Sequence, residues 1–260
     1  MKNRTEAARA ERGRKAVRDR RRCQVGRPAS GIAAVVAASG QEGTLYPSAL
    51  REPVDGPVLK DGNNLSKIGG QVLVGWLKGA KIVTLTLEER ATCPRSCEMW
   101  RRCYGNSSPF THRYRHGPEL EAALEREVAA LCEKHDQVLV RLHVLGDFYS
   151  GEYIALWQRL LGRHEGLHVF GFTAWPEKTV NGSRIAWMRD VFGMRWSVRH
   201  SGRGGEWGSF TIDWPTERKV LGDAVVCPEQ LSANAGPSDK HCGNCGICWS
   251  TAAPIVFIEH

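Results

Sequence analysis

The pattern of apolar and polar residues changes near Lys81. Before that point the apolar residues are scattered, and Pro47, Pro53 and Pro57 indicate an irregular, extended chain. After it, short β-branched or apolar runs alternate with stretches in which apolar residues recur every three or four positions. This alternation of strand-like and helix-like segments predicts βαβ units that form a parallel sheet.

The predicted elements are too few for a closed barrel. The pattern predicts strands at residues 82–87, 138–145, 167–174, 194–200, 210–214 and 224–227, and helices at residues 118–135, 150–163 and 183–192. About six strands fall short of the eight that close a (β/α) barrel. The predicted fold is therefore α/β, a partial (β/α)6-type barrel.

One predicted strand, residues 138–145, carries ionisable side chains on a single face. Val138, Val140, Leu142 and Val144 alternate along one face, which should pack on helices. Arg141 and His143, followed by Asp147, occupy the other face together with Leu139 and Leu145. This second face lines the lumen of the predicted barrel or, alternatively, is the solvated face of an edge strand.

The basic charge is confined to the N-terminus. Residues 1–28 carry eleven Lys/Arg and three Asp/Glu, which accounts for the whole net charge of +8. The sequence predicts a flexible basic arm and linker at residues 1–44, the α/β body at residues 45–226 and a cysteine-rich tail at residues 227–260. The arm either binds nucleic acid through phosphate contacts or is a solvated extension without a specific partner.

No apolar run reaches the roughly 18 residues that span a membrane, so no membrane partner is expected. The apolar part of residues 29–40 is short and Ala-rich, which disfavours a signal peptide. The nine cysteines show metal-type spacings and not those of a disulfide scaffold. The expected location is the reducing cytoplasm.

Seven of the nine cysteines fall into two groups. The three-cysteine loop contains Cys93, Cys97 and Cys103, and the four-cysteine group contains Cys227, Cys242, Cys245 and Cys248. Four thiolates complete a closed metal or cluster site, whereas three leave one coordination position open.

Each group has two interpretations. The three-cysteine loop can hold a four-iron cluster with one iron free, or a zinc ion that His112 or His116 completes. In the four-cysteine group, the C-x2-C-x2-C run with a distant Cys-Pro is typical of a four-iron cluster. Zinc, with or without His241, is the alternative there.

Together these features resemble the radical S-adenosylmethionine superfamily over about residues 81–250. The resemblance implies that a cluster on the three-cysteine loop binds S-adenosylmethionine through its amino and carboxyl groups. Gly146 and Asp147 would then contact the amino group, and Ser197 and Arg199 the ribose or carboxylate. Arg141 and His143 would line the cavity below.

Two motifs depart from that superfamily. The last cysteine gap is five residues where the superfamily has two, and Tyr104 follows the final cysteine where an aromatic residue usually precedes it. The acidic motif reads Leu-Gly-Asp-Phe where Gly-Gly-Glu-Pro is usual. Residues 85–105 are also similar to an uncharacterised cysteine-rich family of phages and prophages.

The sequence therefore supports two functional hypotheses. The first is an enzyme that cleaves S-adenosylmethionine reductively and abstracts hydrogen from an unknown substrate. It would use two [4Fe-4S] clusters and a protein electron donor. The second is a non-catalytic, zinc- or cluster-stabilised nucleic-acid-binding protein of phage or prophage origin.

Overall fold

The computed structural model describes residues 42–212, 222–235 and 239–258 of the 260-residue chain. The predicted basic arm, with Cys23, lies outside the described residues, as does the end of the strand predicted at residues 210–214. Eight cysteines lie within the described ranges, and all eight are free thiols.

The described strands form an eight-stranded sheet and a separate two-stranded one. The strands are β1 Leu50–Arg51, β2 Lys60–Asp61, β3 Lys81–Thr84, β4 Arg113–Tyr114, β5 Val138–Leu142, β6 Leu167–Thr173, β7 Trp196–Ser201, β8 Gly208–Ile212, β9 Val225–Val226 and β10 Ile255–Ile258. The order in the large sheet is β2-β3-β5-β6-β7-β8-β10-β9. Its strands pair in parallel except for β2 on β3 within the described chain.

Three long helices connect neighbouring parallel strands. The α-helices are α1 Pro118–Lys134, α2 Gly151–Arg163, α3 Val180–Phe192, α4 Pro228–Ala235, α5 Cys242–Cys245 and α6 Ile247–Ser250. Pro118 opens α1 in the first turn, where its missing N–H is not needed. The Ser150 hydroxyl caps α2 by accepting the Tyr153 N–H at 3.1 Å. The three predicted helices are confirmed.

The long helices all pack on one face of the sheet. Val138, Val140 and Leu142 of β5 belong to the helix-side core, together with residues of α1, α2 and α3. Leu139 and Phe170 point to the opposite face and pack with Trp249 of α6. We call this opposite side the tail face, because the cysteine-rich tail and residues 65–80 cover it. The alternation predicted for β5 is confirmed up to Leu142.

The α/β class is confirmed, and the sheet is open in the described part of the chain, with β2 and β9 at its two edges. The sequence predicted six strands, whereas this sheet has eight. The two additional strands are β2 and β10. β10 inserts between β8 and β9, so the cysteine-rich tail contributes a strand to the same sheet as the body.

Candidate functional site

The three-cysteine loop lies at the carboxyl edge of the parallel strands. The chain beyond β3 stays attached to the chain beyond β5, because the Leu87 N–H donates to the Leu145 carbonyl at 3.0 Å. The loop is wound in tight turns, in which the Cys97 N–H donates to Pro94 O at 3.0 Å and the Asn106 N–H to Cys103 O at 2.9 Å. In α/β folds this edge is the usual position of functional loops.

The three thiols of this loop share one partly buried neighbourhood. Burial raises the pKa of all three, that of Cys97 to about 11. The charges of Asp147, Cys103 and Cys97 contribute to this rise in the pKa of Cys93. A bound metal would have to displace the thiol protons, since thiolates are the ligating form.

A buried ion pair holds the end of the three-cysteine loop. Arg113 Nε donates to Glu89 Oε2 at 2.6 Å, and both side chains are fully buried. The Arg113 Nη2 atom also donates to the Gly105 and Ser108 carbonyls, each at 3.0 Å. Thr44 Oγ1 donates to the other Glu89 oxygen at 2.9 Å. The sequence analysis missed this pair, because its members are 24 residues apart and carry no recognisable motif.

Asp147 connects this loop to two strands. Its carboxylate accepts hydrogen bonds from Thr173 Oγ1 and from the Ala174 and Phe148 N–H groups, all at 2.7 Å. The Asp147 N–H donates to Thr92 Oγ1 at 3.1 Å. Burial outweighs the three donors and raises the pKa of Asp147 to about 7. Asp147 is thus hydrogen-bonded to the residue that precedes Cys93, and its contact with an amino group stays a prediction.

Gly146 serves packing within the chain. Its φ is +86°, and a Cβ added there would lie 2.6 Å from Thr92 Oγ1 and 2.7 Å from Leu87 Cβ. The sequence analysis expected a ligand to approach the backbone at this glycine. The space is filled by Leu87 and Thr92, so the glycine lets the chain after β3 pack on the chain after β5.

Arg141 and His143 do not share a face, contrary to the prediction. The Arg141 guanidinium lies over the ring of Phe172 on the tail face, 4.9 Å from its centroid. The strand ends at Leu142, and His143 has φ +52°, which interrupts the side-chain alternation. The His143 ring therefore packs on the helix side, 4.7 Å from the Phe148 ring, with Nε2 3.1 Å from the Tyr153 hydroxyl.

Ser197 and Arg199 are fully buried in β7 and bonded within the chain. Ser197 Oγ donates to Met194 O at 3.0 Å. Arg199 donates to the carbonyls of Cys248, Ala253 and Thr251. The Arg199 bonds hold the cysteine-rich tail against the sheet. The contact of Ser197 and Arg199 with a ribose or carboxylate, which the resemblance implies, stays a prediction.

The four-cysteine group is fixed by backbone pairing at both ends. The Cys242 N–H donates to Lys67 O at 2.9 Å, and the Cys227 N–H donates to Val256 O at 2.8 Å. Cys242 and Cys245 lie in α5 and Cys248 in α6. Burial and the charges of Cys227 and Cys245 raise the pKa of Cys242 to about 12.

Two arginines act on the four-cysteine group, and neither has a carboxylate partner among the residues that the structure describes. The charge of Arg141 acts on Cys242 and Cys248, and that of Arg199 acts on Cys248. The hydrogen bonds of both guanidinium groups go to backbone carbonyls. A positive charge in a partly desolvated position favours negative charge nearby, which thiolates would supply.

Across the described ranges, no three or more His, Cys, Asp or Glu side chains are grouped so that they could hold a metal ion. The two histidines considered as a fourth ligand of the three-cysteine loop have other neighbours. His112 Nε2 lies 3.1 Å from Arg51 Nη2, and His116 packs against the Tyr149 ring at 4.9 Å. His241 lines a cleft of about 570 Å³ at the amino ends of β3 and β5, together with Lys81 and His135.

The fold and the two cysteine groups define a cysteine-rich α/β protein with a mostly parallel sheet. Residues 58–251 match the family described as "Gene product 88", and the chain belongs to this phage-type family. The match extends well beyond residues 85–105, which carried the predicted phage similarity. No curated protein and no solved structure matches the chain. In the described residues, no helix combines the length and apolarity that a membrane crossing requires.

Proposed function

We propose that the protein is an iron–sulfur enzyme of radical S-adenosylmethionine type. One open cluster would be held by the three-cysteine loop and one closed cluster by the four-cysteine group. The observation that carries this proposal is the place of Cys93, Cys97 and Cys103 in one loop that follows β3 at the carboxyl edge of the parallel strands, where Thr92, next to Cys93, accepts the Asp147 N–H. The sequential order of β3, β5, β6, β7 and β8 supports a partial barrel.

The donor sets fit these groups. Three thiolates bind a four-iron cube and leave one iron available to a chelating molecule, whereas four thiolates close the site. A cluster held by four thiolates carries net negative charge, which the neighbouring guanidinium groups of Arg141 and Arg199 would offset. Cys132 lies on α1 outside both groups and is partly buried against the helix-side core.

The open cluster would supply one electron that breaks a carbon–sulfur bond of S-adenosylmethionine, giving methionine and a radical that takes a hydrogen atom from the substrate. A low-potential protein donor would provide that electron. Of the predicted ligand contacts, Asp147 is the one whose position fits best, because it is hydrogen-bonded to the residue that precedes Cys93. The substrate class stays open.

The proposal is tested on full-length protein purified without oxygen. We expect a brown protein with iron and sulfide for two four-iron clusters per chain. S-adenosylmethionine should change the paramagnetic resonance signal of the reduced protein, and 5′-deoxyadenosine should form slowly. Cys97→Ser should abolish both effects, and the matched control Cys132→Ser should leave both intact.

Two results would contradict the proposal at different levels. A colourless protein that holds zinc would show that both cysteine groups bind structural metal. That result would favour the non-catalytic alternative, in which residues 1–28 bind nucleic acid. A protein with both clusters but neither a spectral change nor 5′-deoxyadenosine would retain the iron–sulfur sites and exclude the radical reaction.

A further inference from the structure

Arg90 is buried with most of its hydrogen-bonding capacity unused. The residue is 4% exposed, yet Nε and Nη1 have no hydrogen-bond partner among the residues that the structure describes. The Nη2 atom donates to the Trp100 carbonyl at 3.4 Å and to Asn106 Oδ1. Buried charged donors without partners are strongly unfavourable, so this arrangement requires an explanation.

The nearest carboxylate does not satisfy these donors. Glu89 Oε1 lies 4.0 Å from Arg90 Nη1, which is too far for a hydrogen bond. Both Glu89 oxygens already accept bonds from Arg113 and Thr44. Arg90 also has φ +66°, a conformation that is costly for an arginine. The surrounding structure therefore holds a strained residue with its guanidinium directed inward.

The guanidinium lies within the three-cysteine loop. Its two acceptors, Trp100 and Asn106, flank Cys103, and the Asn106 N–H donates to Cys103 O at 2.9 Å. The Arg90 backbone hydrogen-bonds Cys93. Arg90 thus contacts one of the three proposed ligands through its backbone, and its side chain is bonded to residues on both sides of another.

We propose that Arg90 is a positioning residue for the group held by the three-cysteine loop, to whose anionic sulfur atoms Nε–H and Nη1–H donate. This inference rests on the proposed function, since it requires a cluster at that loop. Hydrogen bonds to sulfur and nearby positive charge stabilise the more negative, reduced state of a cluster. Arg90 should therefore make the open cluster easier to reduce.

The test compares Arg90→Gln with Arg101→Gln, which removes an exposed arginine of the same loop. The open cluster is identified as the paramagnetic resonance signal that Cys97→Ser abolishes. At a fixed solution potential, the open cluster of Arg90→Gln should have a reduced-to-oxidised ratio about tenfold lower than that of the wild type. This corresponds to about 59 mV for a one-electron couple. The cluster of the four-cysteine group should keep its wild-type ratio in Arg90→Gln. In Arg101→Gln the open cluster should also keep its wild-type ratio.

The outcomes separate this inference from the proposed function. A wild type without a signal that depends on Cys97 contradicts the proposed function itself. An Arg90→Gln variant that keeps the signal and its potential overturns only the inference. A shift that appears only after S-adenosylmethionine is added also overturns it, because the two donors would then serve the ligand's carboxylate.

If Arg90→Gln loses the open cluster altogether, a second variant distinguishes a direct role of the guanidinium from a role in loop packing. Arg90→Lys keeps the positive charge but not the planar fork of donors. If Arg90→Lys retains the open cluster while Arg90→Gln loses it, and both keep the four-cysteine signal and the thermal midpoint, the inference is supported. If both variants lose the open cluster, Arg90 acts through loop packing and the inference is overturned.

Discussion

At the scale of single residues, left-handed backbone conformations set where two side chains of the carboxyl edge lie. Arg90 and His143 both have positive φ, at +66° and +52°. In Arg90 the conformation accompanies a guanidinium held inside the three-cysteine loop. In His143 it turns the ring away from the face of Arg141 and into the helix-side core. Neither conformation follows from residue type, because arginine and histidine rarely adopt it.

The burial of His143 predicts a pH-dependent stability. Burial, aided by the charge of Arg141, lowers the pKa of His143 from its ordinary value of 6.5 to about 3. The unfolded chain therefore binds more protons between pH 6.5 and 3, so stability is present above pH 6.5 and is lost as pH falls. In that range the free energy of unfolding should fall by up to about 1.4 kcal/mol per pH unit from this residue.

Urea denaturation of wild type and His143→Gln at several pH values checks this prediction. The stability difference between the two proteins should shrink as pH falls from 7 to 4, because the variant lacks the titrating ring. The exposed His112→Gln is the control and should follow the wild type. If the free energies of unfolding of wild type and His143→Gln fall in parallel with pH, the ring is protonated in the folded protein as readily as in the unfolded chain, and the prediction is wrong.

At the scale of elements, the three-cysteine loop consists of turns that lead into a short 3-10 helix at Tyr104–Ser107, and it is positioned by its attachments. Beyond β3 the chain is hydrogen-bonded to the chain beyond β5 through Leu87 and Leu145. The end of the loop is held by Arg113 of β4, which reaches the Gly105 and Ser108 carbonyls. The arrangement of Cys93, Cys97 and Cys103 thus depends on residues outside the loop.

Removal of Arg113 should destabilise the protein and release the loop. Arg113→Met would leave Glu89 buried without its partner, which costs about 3–5 kcal/mol in known buried pairs. The matched control is Arg115→Met, whose exposed pair with Glu52 is worth at most about 1 kcal/mol. Urea denaturation measures both. Equal effects of the two variants would mean that the buried pair contributes no more than a surface pair.

At the scale of the whole molecule, the charge and the described fold belong to different parts of the chain. The net charge of +8 arises from residues 1–28, and the rest of the sequence is neutral. Residues 45–258, which comprise the body and the tail, contain the described sheet and helices and both cysteine groups that the proposed function requires. The positive charge that would attract a phosphate-carrying partner therefore lies in the arm.

Deletion of residues 1–28 should leave metal content and thermal midpoint unchanged. The arm contributes no cysteine to either group, and its charge balances nothing in the neutral body. If the arm binds nucleic acid, the same deletion should abolish salt-dependent binding to a DNA duplex. Metal analysis, thermal unfolding and a binding titration at two salt concentrations measure these effects. A truncated protein without its metal would assign a role to Cys23 or its neighbours.

The sequence by itself determined the elements whose signals are local. The bounds of α1 and α2 follow from apolar periodicity and from caps such as Pro118 and Ser150, which act within one helical turn. The parallel pairing of the strands followed from their alternation with these helices. The division of the cysteines into three and four is also a property of spacing.

Only the tertiary structure decided the features that join distant residues. β10 lies between β8 and β9 because its backbone pairs with both, and no pattern within residues 255–258 specifies that position. The partners of Arg199 are residues of the tail, about 50 positions away, and those of Arg113 include Glu89. A buried charge is placed by whichever acceptors the assembled fold brings to it, and these acceptors are adjacent only after the chain has folded.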